Sequence, residues 1–198
     1  MNREKWLSIV ASEIETYFSS PMPAYQISMG WPLGGSNKSN PNKVGRLGEC
    51  YPLGWQATED KFQIMISPIL GQNSPESTKK YKDGDIAGIV AHELCHVMDQ
   101  CKNGHRKPFA KLAYSIGLEG KPTQAMAGDA FINRITPFLN ELGSYPHNSM
   151  SRDKKKRQGT RMIKCTCDEC GYAVRTSQKW IDVALPICPI HNSIMVIG

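Results

Sequence analysis

Residues 83–101 read DGDIAGIVAHELCHVMDQC, and the architecture of the chain turns on this stretch. Ile86, Ile89, Val90 and Val97 recur at helical spacing and make it a buried helix. Asp83-Gly84-Asp85 supplies a start signal, with Asp85 as the expected N-cap of a helix from Ile86 to about Cys101. His92 and His96 stand four residues apart and so leave one face of that helix about one turn from each other. Two imidazoles so placed can grip one ion. Glu93, beside His92, can reach a water held at that ion without binding the ion itself.

A catalytic zinc site takes three protein ligands and leaves one position open. Candidates for the third are His105, His147, Glu119 and Cys101. His105 is favoured, because Gly104 lets the chain turn back sharply after the helix. Cys95 and Cys101 read as small packed thiols.

Outward from this helix, the pattern is that of an α+β protein. Trp6, Ile9, Val10, Ile14 and Tyr17 define an amphipathic helix over residues 2–18, stopped by Ser19–Pro23. Tyr25–Met29 alternates as a strand does, and Lys61–Ile69 is the clearest strand, with Phe62, Ile64 and Ile66 on one face. Between them lie an exposed loop over 32–48 and a return to the sheet around Cys50–Trp55; Asn73–Lys82 is a polar connection. Pro108–Ile116 predicts a helix with Phe109, Leu112, Ala113 and Ile116 as its stripe, and Thr136-Pro137 predicts the start of a short helix ending at Gly143.

The chain has 198 residues, 40% hydrophobic and 21% charged, which suits one ordinary domain with a small appendage. No apolar run is long enough to cross a bilayer, and residues 1–6 lack the apolar stretch of a secretory signal. The expectation is a cytoplasmic protein with no membrane partner. Seven cysteines, an odd number with four of them between Cys165 and Cys188, make a poor disulfide framework and a good source of metal ligands.

The second metal pattern is Cys167-x-x-Cys170, seventeen residues, then Cys188-x-x-His191. Each pair sits on a tight knuckle, helped by Gly171 and Pro189, and the two pairs complete a tetrahedron. Tyr172–Val174 and Lys179–Val183 are expected as the strands between them. So small a domain cannot bury enough core alone, so the metal supplies much of its folding energy. Four ligands leave no position for chemistry, which makes this second Zn²⁺ structural. Cys165 offers a competing ligand two residues before Cys167.

Taken together, Ile89–His96 (IVAHELCH), Gly104–Phe109 (GHRKPF), Ala113–Lys121 (AYSIGLEGK), Leu142–His147 (LGSYPH) and Gly159–Arg175 (GTRMIKCTCDECGYAVR) resemble the SprT-like family of zinc metallopeptidase-type proteins, especially short phage and bacterial members, and more distantly the Spartan proteases. The likeness runs from about Gly30-Trp31 to the C-terminus. It implies a zincin core of minigluzincin-like type with a small β-sheet and an active-site helix, followed by a C-terminal zinc ribbon. It implies His92, His96 and His105 as ligands of a catalytic Zn²⁺, Glu93 as the catalytic acid/base, and a protein or peptide substrate. It favours Cys167 and Cys170 over Cys165 as ribbon ligands. The expected division is a peptidase domain over 1–147, a basic linker over 148–160 and the ribbon over 161–198.

The net charge of +6 is uneven: residues 151–198 carry 9 Lys/Arg against 4 Asp/Glu, and residues 1–150 carry 15 against 14. Lys154, Lys155, Lys156 and Arg157, with Arg152, Arg161 and Lys164 nearby, have the character of a phosphate-contacting run, and equally of a solvated linker. DNA is therefore a candidate partner. Trp180 and Tyr172 suit base stacking, but packing inside the ribbon is the expected use for both. The leading expectation is a zinc-dependent endopeptidase acting on nucleic-acid-associated proteins; the alternatives are a non-proteolytic, nucleic-acid-associated zinc-binding protein and a hydrolase of another amide or ester.

Overall fold

The computed structural model describes residues 1–32, 46–54, 60–71, 81–150 and 162–198. Lys154–Arg157, Arg152, Arg161, Trp55, most of the loop expected over 32–48 and most of the 73–82 connection lie outside the described residues. The chain forms two compact units, Met1–Arg152 and Asp153–Gly198, and both are mixed α and β. Among the described residues, no helix is long and apolar enough to cross a membrane.

The first unit begins with α1 (Arg3–Glu15), capped by Asn2, whose side chain accepts a 2.8 Å hydrogen bond from the Lys5 backbone. Trp6, Leu7, Val10, Ala11 and Ile14 form its inner stripe and are fully buried. The Trp6 indole N–H donates to the Gly143 carbonyl at 2.8 Å, so a large apolar ring is buried without stranding its donor. The sheet follows as β1 (Tyr25–Met29), β2 (Gly48–Tyr51) and β3 (Phe62–Ile66), in the spatial order β1-β3-β2. β1 runs parallel to β3, and β2 pairs antiparallel to it from Gly48 opposite Ile66 to Tyr51 opposite Gln63. Phe62, Ile64 and Ile66 alternate inward and carry β3 into the core.

Helix α2 (Asp83–Met98) runs through the centre of this unit. Its apolar residues occupy nearly the whole circumference, and they are buried against α1, β2 and two later elements, β5 (Met126–Ala127) and α4 (Asp129–Leu142). It starts earlier than the sequence suggests. Lys82 is the N-cap, and Asp85 sits three residues inside, its carboxylate accepting a 2.9 Å hydrogen bond from the Lys82 backbone N–H. An acidic side chain satisfies a helix-start donor from either place, which is why the local signal misplaced it. The helix also ends earlier, at Met98, because Gln100 and Cys101 turn left-handed with φ of 53° and 55°. Gly88 allows β5 (Met126–Ala127) to lie against α2: a Cβ there would meet the Ala127 backbone N at 2.8 Å.

The rest of the unit is α3 (Lys107–Ser115), β4 (Leu118–Glu119), a 3-10 turn over Pro122–Gln124, and α4 (Asp129–Leu142). The short helix expected to open at Thr136-Pro137 is the second half of α4. Pro137 lies inside it, because the Phe131, Ile135 and Leu139 stripe continues across the proline into the core. Burial of that stripe outweighs the hydrogen bond the proline cannot make.

The second unit contains β6 (Met162–Thr166), β7 (Ala173–Ser177), a helical turn α5 (Gln178–Ile181) and β8 (Val196–Ile197), with strand order β7-β6-β8. Lys179–Val183 is therefore not a strand. Gln178 and Asp182 are linked at helical spacing, side chain to side chain, at 2.7 Å, and hold the turn. Among the described residues, the unit's fully buried core is Cys165, Cys167, Cys188 and Met195. Trp180 and Tyr172 do not fill it: they are 58% and 42% exposed.

Candidate metal centres

In the first unit, α2 delivers His92 and His96 on one face, and the segment after it returns His105. Gly104 adopts φ of 53°, the left-handed conformation that its missing side chain makes cheap. The His105 Nε2 lies 3.1 Å from that of His92 and 3.2 Å from that of His96. Imidazole nitrogens each at a zinc–nitrogen bond length from one tetrahedral ion lie about 3.3 Å apart. Three ring nitrogens converging this way cannot satisfy one another as donors and acceptors, so the arrangement fits a shared cation. These residues could hold a metal ion.

The other candidates for third ligand are elsewhere. His147 is buried with its Nε2 3.0 Å from the Pro68 carbonyl oxygen, and Cys101 lies against Cys50. Glu119 is exposed on β4 and outside the histidine group.

Burial shapes the electrostatics. It lowers the His92 pKa to about 4, with His105 adding to the effect and the Ala125 backbone opposing it. His96 falls to about 3, mainly by burial and then through His92, His105 and Arg46. His105 is also lowered, by burial and then by Arg46. All three imidazoles are thus held neutral near pH 7, the state a metal ligand requires. Glu93 is shifted the opposite way. It is 5% exposed, and burial, with help from Glu49, pushes its carboxyl up to about 8. Its surroundings are tight: a Cβ on Gly48 would sit 2.6 Å from Glu93 Oε1.

Four contributors escaped the sequence reading. Phe109 was legible only as part of an apolar stripe, yet its ring stacks on His96 at 4.3 Å and lies 5.0 and 4.9 Å from the rings of His92 and His105. Asp99 and Asn103 fasten the segment leading to His105. Arg46 pairs with Glu49 and lends positive charge to the site. The i+4 spacing of His105 and Phe109 was the one available signal among these.

In the second unit, Cys167, Cys170, Cys188 and His191 present ligand atoms within 4.8 Å of one another. The Cys170 and Cys188 sulfurs are 3.7 Å apart; His191 Nδ1 is 3.7 Å from the Cys167 sulfur and 3.9 Å from that of Cys188. Sulfurs at zinc–thiolate bond lengths around a tetrahedral ion stand about 3.8 Å apart, so this group also fits a cation. The backbone N–H of Cys170 is the main influence holding the Cys167 thiol down to about 6. Cys165 is outside the group, on β6 and fully buried.

Comparison of the chain with protein-family models, with curated proteins and with solved structures yields no match. What the structure itself defines is an α+β chain with, among the described residues, a three-histidine group and a Cys3His group able to hold metal ions.

Proposed function

We propose that the first unit is a zincin core of the SprT-like type, that the second is a zinc ribbon, and that the chain is a zinc-dependent endopeptidase. The observation that carries this reading is the convergence of three imidazole Nε2 atoms, with a buried carboxylate at Glu93, the residue next to His92 on α2. A Zn²⁺ ion at His92, His96 and His105 would polarise a water and the scissile carbonyl. Glu93 takes a proton from the attacking water and returns it to the leaving amine nitrogen. Burial favours its protonated form and a neighbouring cation favours the ionised one, so the carboxyl is balanced to act in both directions. Phe109 keeps the three rings in place. The ribbon ion, closed by Cys167, Cys170, Cys188 and His191, is structural.

The test is cleavage of a denatured protein, with and without DNA, by the wild type and by Glu93→Gln. The variant is expected to keep its metal and lose ~10²–10⁴-fold in rate. Equal cleavage by the two would sink the assignment.

A second reading, a nucleic-acid-associated protein without proteolysis, is favoured by a different observation. Lys164 and Arg175 are exposed and stand directly opposite each other on β6 and β7, where like charges repel. Exposed Tyr172 and Trp180 belong to the same unit. A phosphate backbone would relieve that repulsion, and exposed rings suit base stacking. This reading expects salt-sensitive DNA binding that survives Glu93→Gln with no cleavage under any condition.

A further inference from the structure

Cys50 and Cys101 are 51 residues apart in sequence, and their sulfurs are 3.6 Å apart. Both are half-buried, so a small solute can reach them, unlike fully buried Cys95. Cys101 is brought there by an unfavourable backbone: it and Gln100 are left-handed non-glycine residues, a conformation that L side chains rarely adopt. Cys50 has a second role. Its backbone interacts with the Glu93 carboxylate as a hydrogen-bond donor, so one residue touches the proposed base through its main chain and Cys101 through its side chain.

We propose that Cys50 and Cys101 are a reversible thiol–disulfide pair, oxidised by hydrogen peroxide, whose closure displaces β2 against Glu93 and slows the reaction; the last clause rests on the peptidase reading. The Cys101 sulfur attacks one peroxide oxygen, the O–O bond breaks, and the departing hydroxide leaves as water with the thiol proton. Cys101 is then a sulfenic acid. The Cys50 sulfur attacks it, the S–O bond breaks, and the second hydroxide leaves as water with the Cys50 proton. Two thiols lose two electrons and two protons, and one peroxide becomes two waters. The half-exposed Cys101 is the better first nucleophile, since its thiol is lowered by its contact with Cys50, whose own thiol is raised.

The bond brings the sulfurs from 3.6 Å to about 2.0 Å, and what side-chain rotation leaves of that gap draws β2 toward the turn after α2. β2 has little room to move, because the Gly48 backbone already abuts Glu93. Closure therefore shifts the carboxylate, and misplacement on this scale costs on the order of 10- to 100-fold in rate.

The experiment treats the full, zinc-loaded chain with hydrogen peroxide, alkylates remaining thiols, and maps the digest by mass spectrometry. The expected result is a Cys50–Cys101 cross-linked peptide that disappears after dithiothreitol. Recovery of both residues alkylated, or of Cys101 only in higher oxidation states, would overturn the pair. In parallel, peroxide should slow cleavage by the wild type and leave Cys101→Ser unaffected. Equal slowing of the two would overturn the regulatory link. The peptide map does not depend on activity, so a chain that cleaves nothing would count against the peptidase reading and leave the disulfide measured in its own right.

Discussion

Asp99 accepts two hydrogen bonds from Asn103, at 2.8 Å from its backbone N–H and 2.6 Å from its side-chain amide. Asp99 caps α2 one residue past Met98 and is 8% exposed, while Asn103 lies two residues before His105. The pair thus ties the end of the helix bearing two imidazoles to the segment bearing the third. Supports of this kind are commonly worth 10–100-fold in metal affinity. Asp99→Ala should weaken metal binding at the histidine group by about that factor and leave the cysteine group unchanged. Competition with a chelator, followed ion by ion, measures both. Equal weakening at the two groups would mean the variant acts through general unfolding.

Metal-stripped protein should show an unusual pH profile of stability. Glu93 rises from 4.5 to about 8 on folding, so between those values the folded chain holds a proton the unfolded chain has released. Its contribution declines as pH climbs through that window. His92 and His96 fall from 6.5 to about 4 and about 3, so their contribution grows with pH up to about 6.5. Above that point only Glu93 still acts among the three. Melting temperature should therefore drop between pH 6.5 and 8 in the stripped wild type and stay flatter in Glu93→Gln. A parallel drop in both proteins would remove Glu93 as the cause.

Gly48→Ala places a methyl 2.6 Å from Glu93 Oε1. The carboxylate must move, while the imidazoles need not. The expected outcome is full metal occupancy with cleavage reduced on the order of 10-fold or more. Steady-state kinetics together with elemental analysis checks it, and loss of metal would show that the damage spreads beyond Glu93.

Gly88→Ala tests the packing of α2. The new methyl would lie 2.7 Å from the Ala127 Cβ and 2.8 Å from its backbone N, and a strand backbone cannot swing away as a side-chain tip can. Overpacking of this kind costs about 1–3 kcal/mol, against the small gain in helix propensity. Denaturant unfolding of the first unit reports the balance, and an unchanged or raised midpoint would contradict the close approach.

Cys165→Ala and Cys170→Ala should part company. Both residues are cysteines near the second metal group, but only Cys170 faces it. The alanine at 165 should keep the ion, and the alanine at 170 should lose it together with ordered structure in residues 162–198. Metal content and amide exchange distinguish them, and retention of the ion by Cys170→Ala would reassign the ligand to Cys165.

Much of this was legible because it is local. The His92/His96 spacing, the Phe62–Ile64–Ile66 alternation and the paired x-x cysteines are short-range patterns with one sensible geometry each. Asp85 lies three positions inside the helix it is expected to cap, because a carboxylate serves a helix start from more than one site. Pro137 suggested a boundary because its local cost is plain, whereas the burial of Phe131, Ile135 and Leu139 that overrides it is tertiary. The packing expected of Trp180 inside the second unit fails because the interior formed by its described residues is too small to take the ring. Phe109 beneath the imidazoles, Asp99 on Asn103 and Cys50 on Cys101 depend on where distant segments meet, and no pattern in the chain announces such meetings.

Among the described residues, half of the second unit's fully buried core, Cys167 and Cys188, consists of candidate metal ligands, while the first unit has an extensive apolar interior of its own. If zinc fills both groups, scarcity of the ion would dismantle the chain in a fixed order. The second unit would lose its fold, baring the buried Cys165 and Met195 side chains, while the first unit stayed folded and idle. An unfolded segment is open to cellular chaperones and proteases. The lifetime of the protein would then follow the zinc supply, independently of any change in its synthesis.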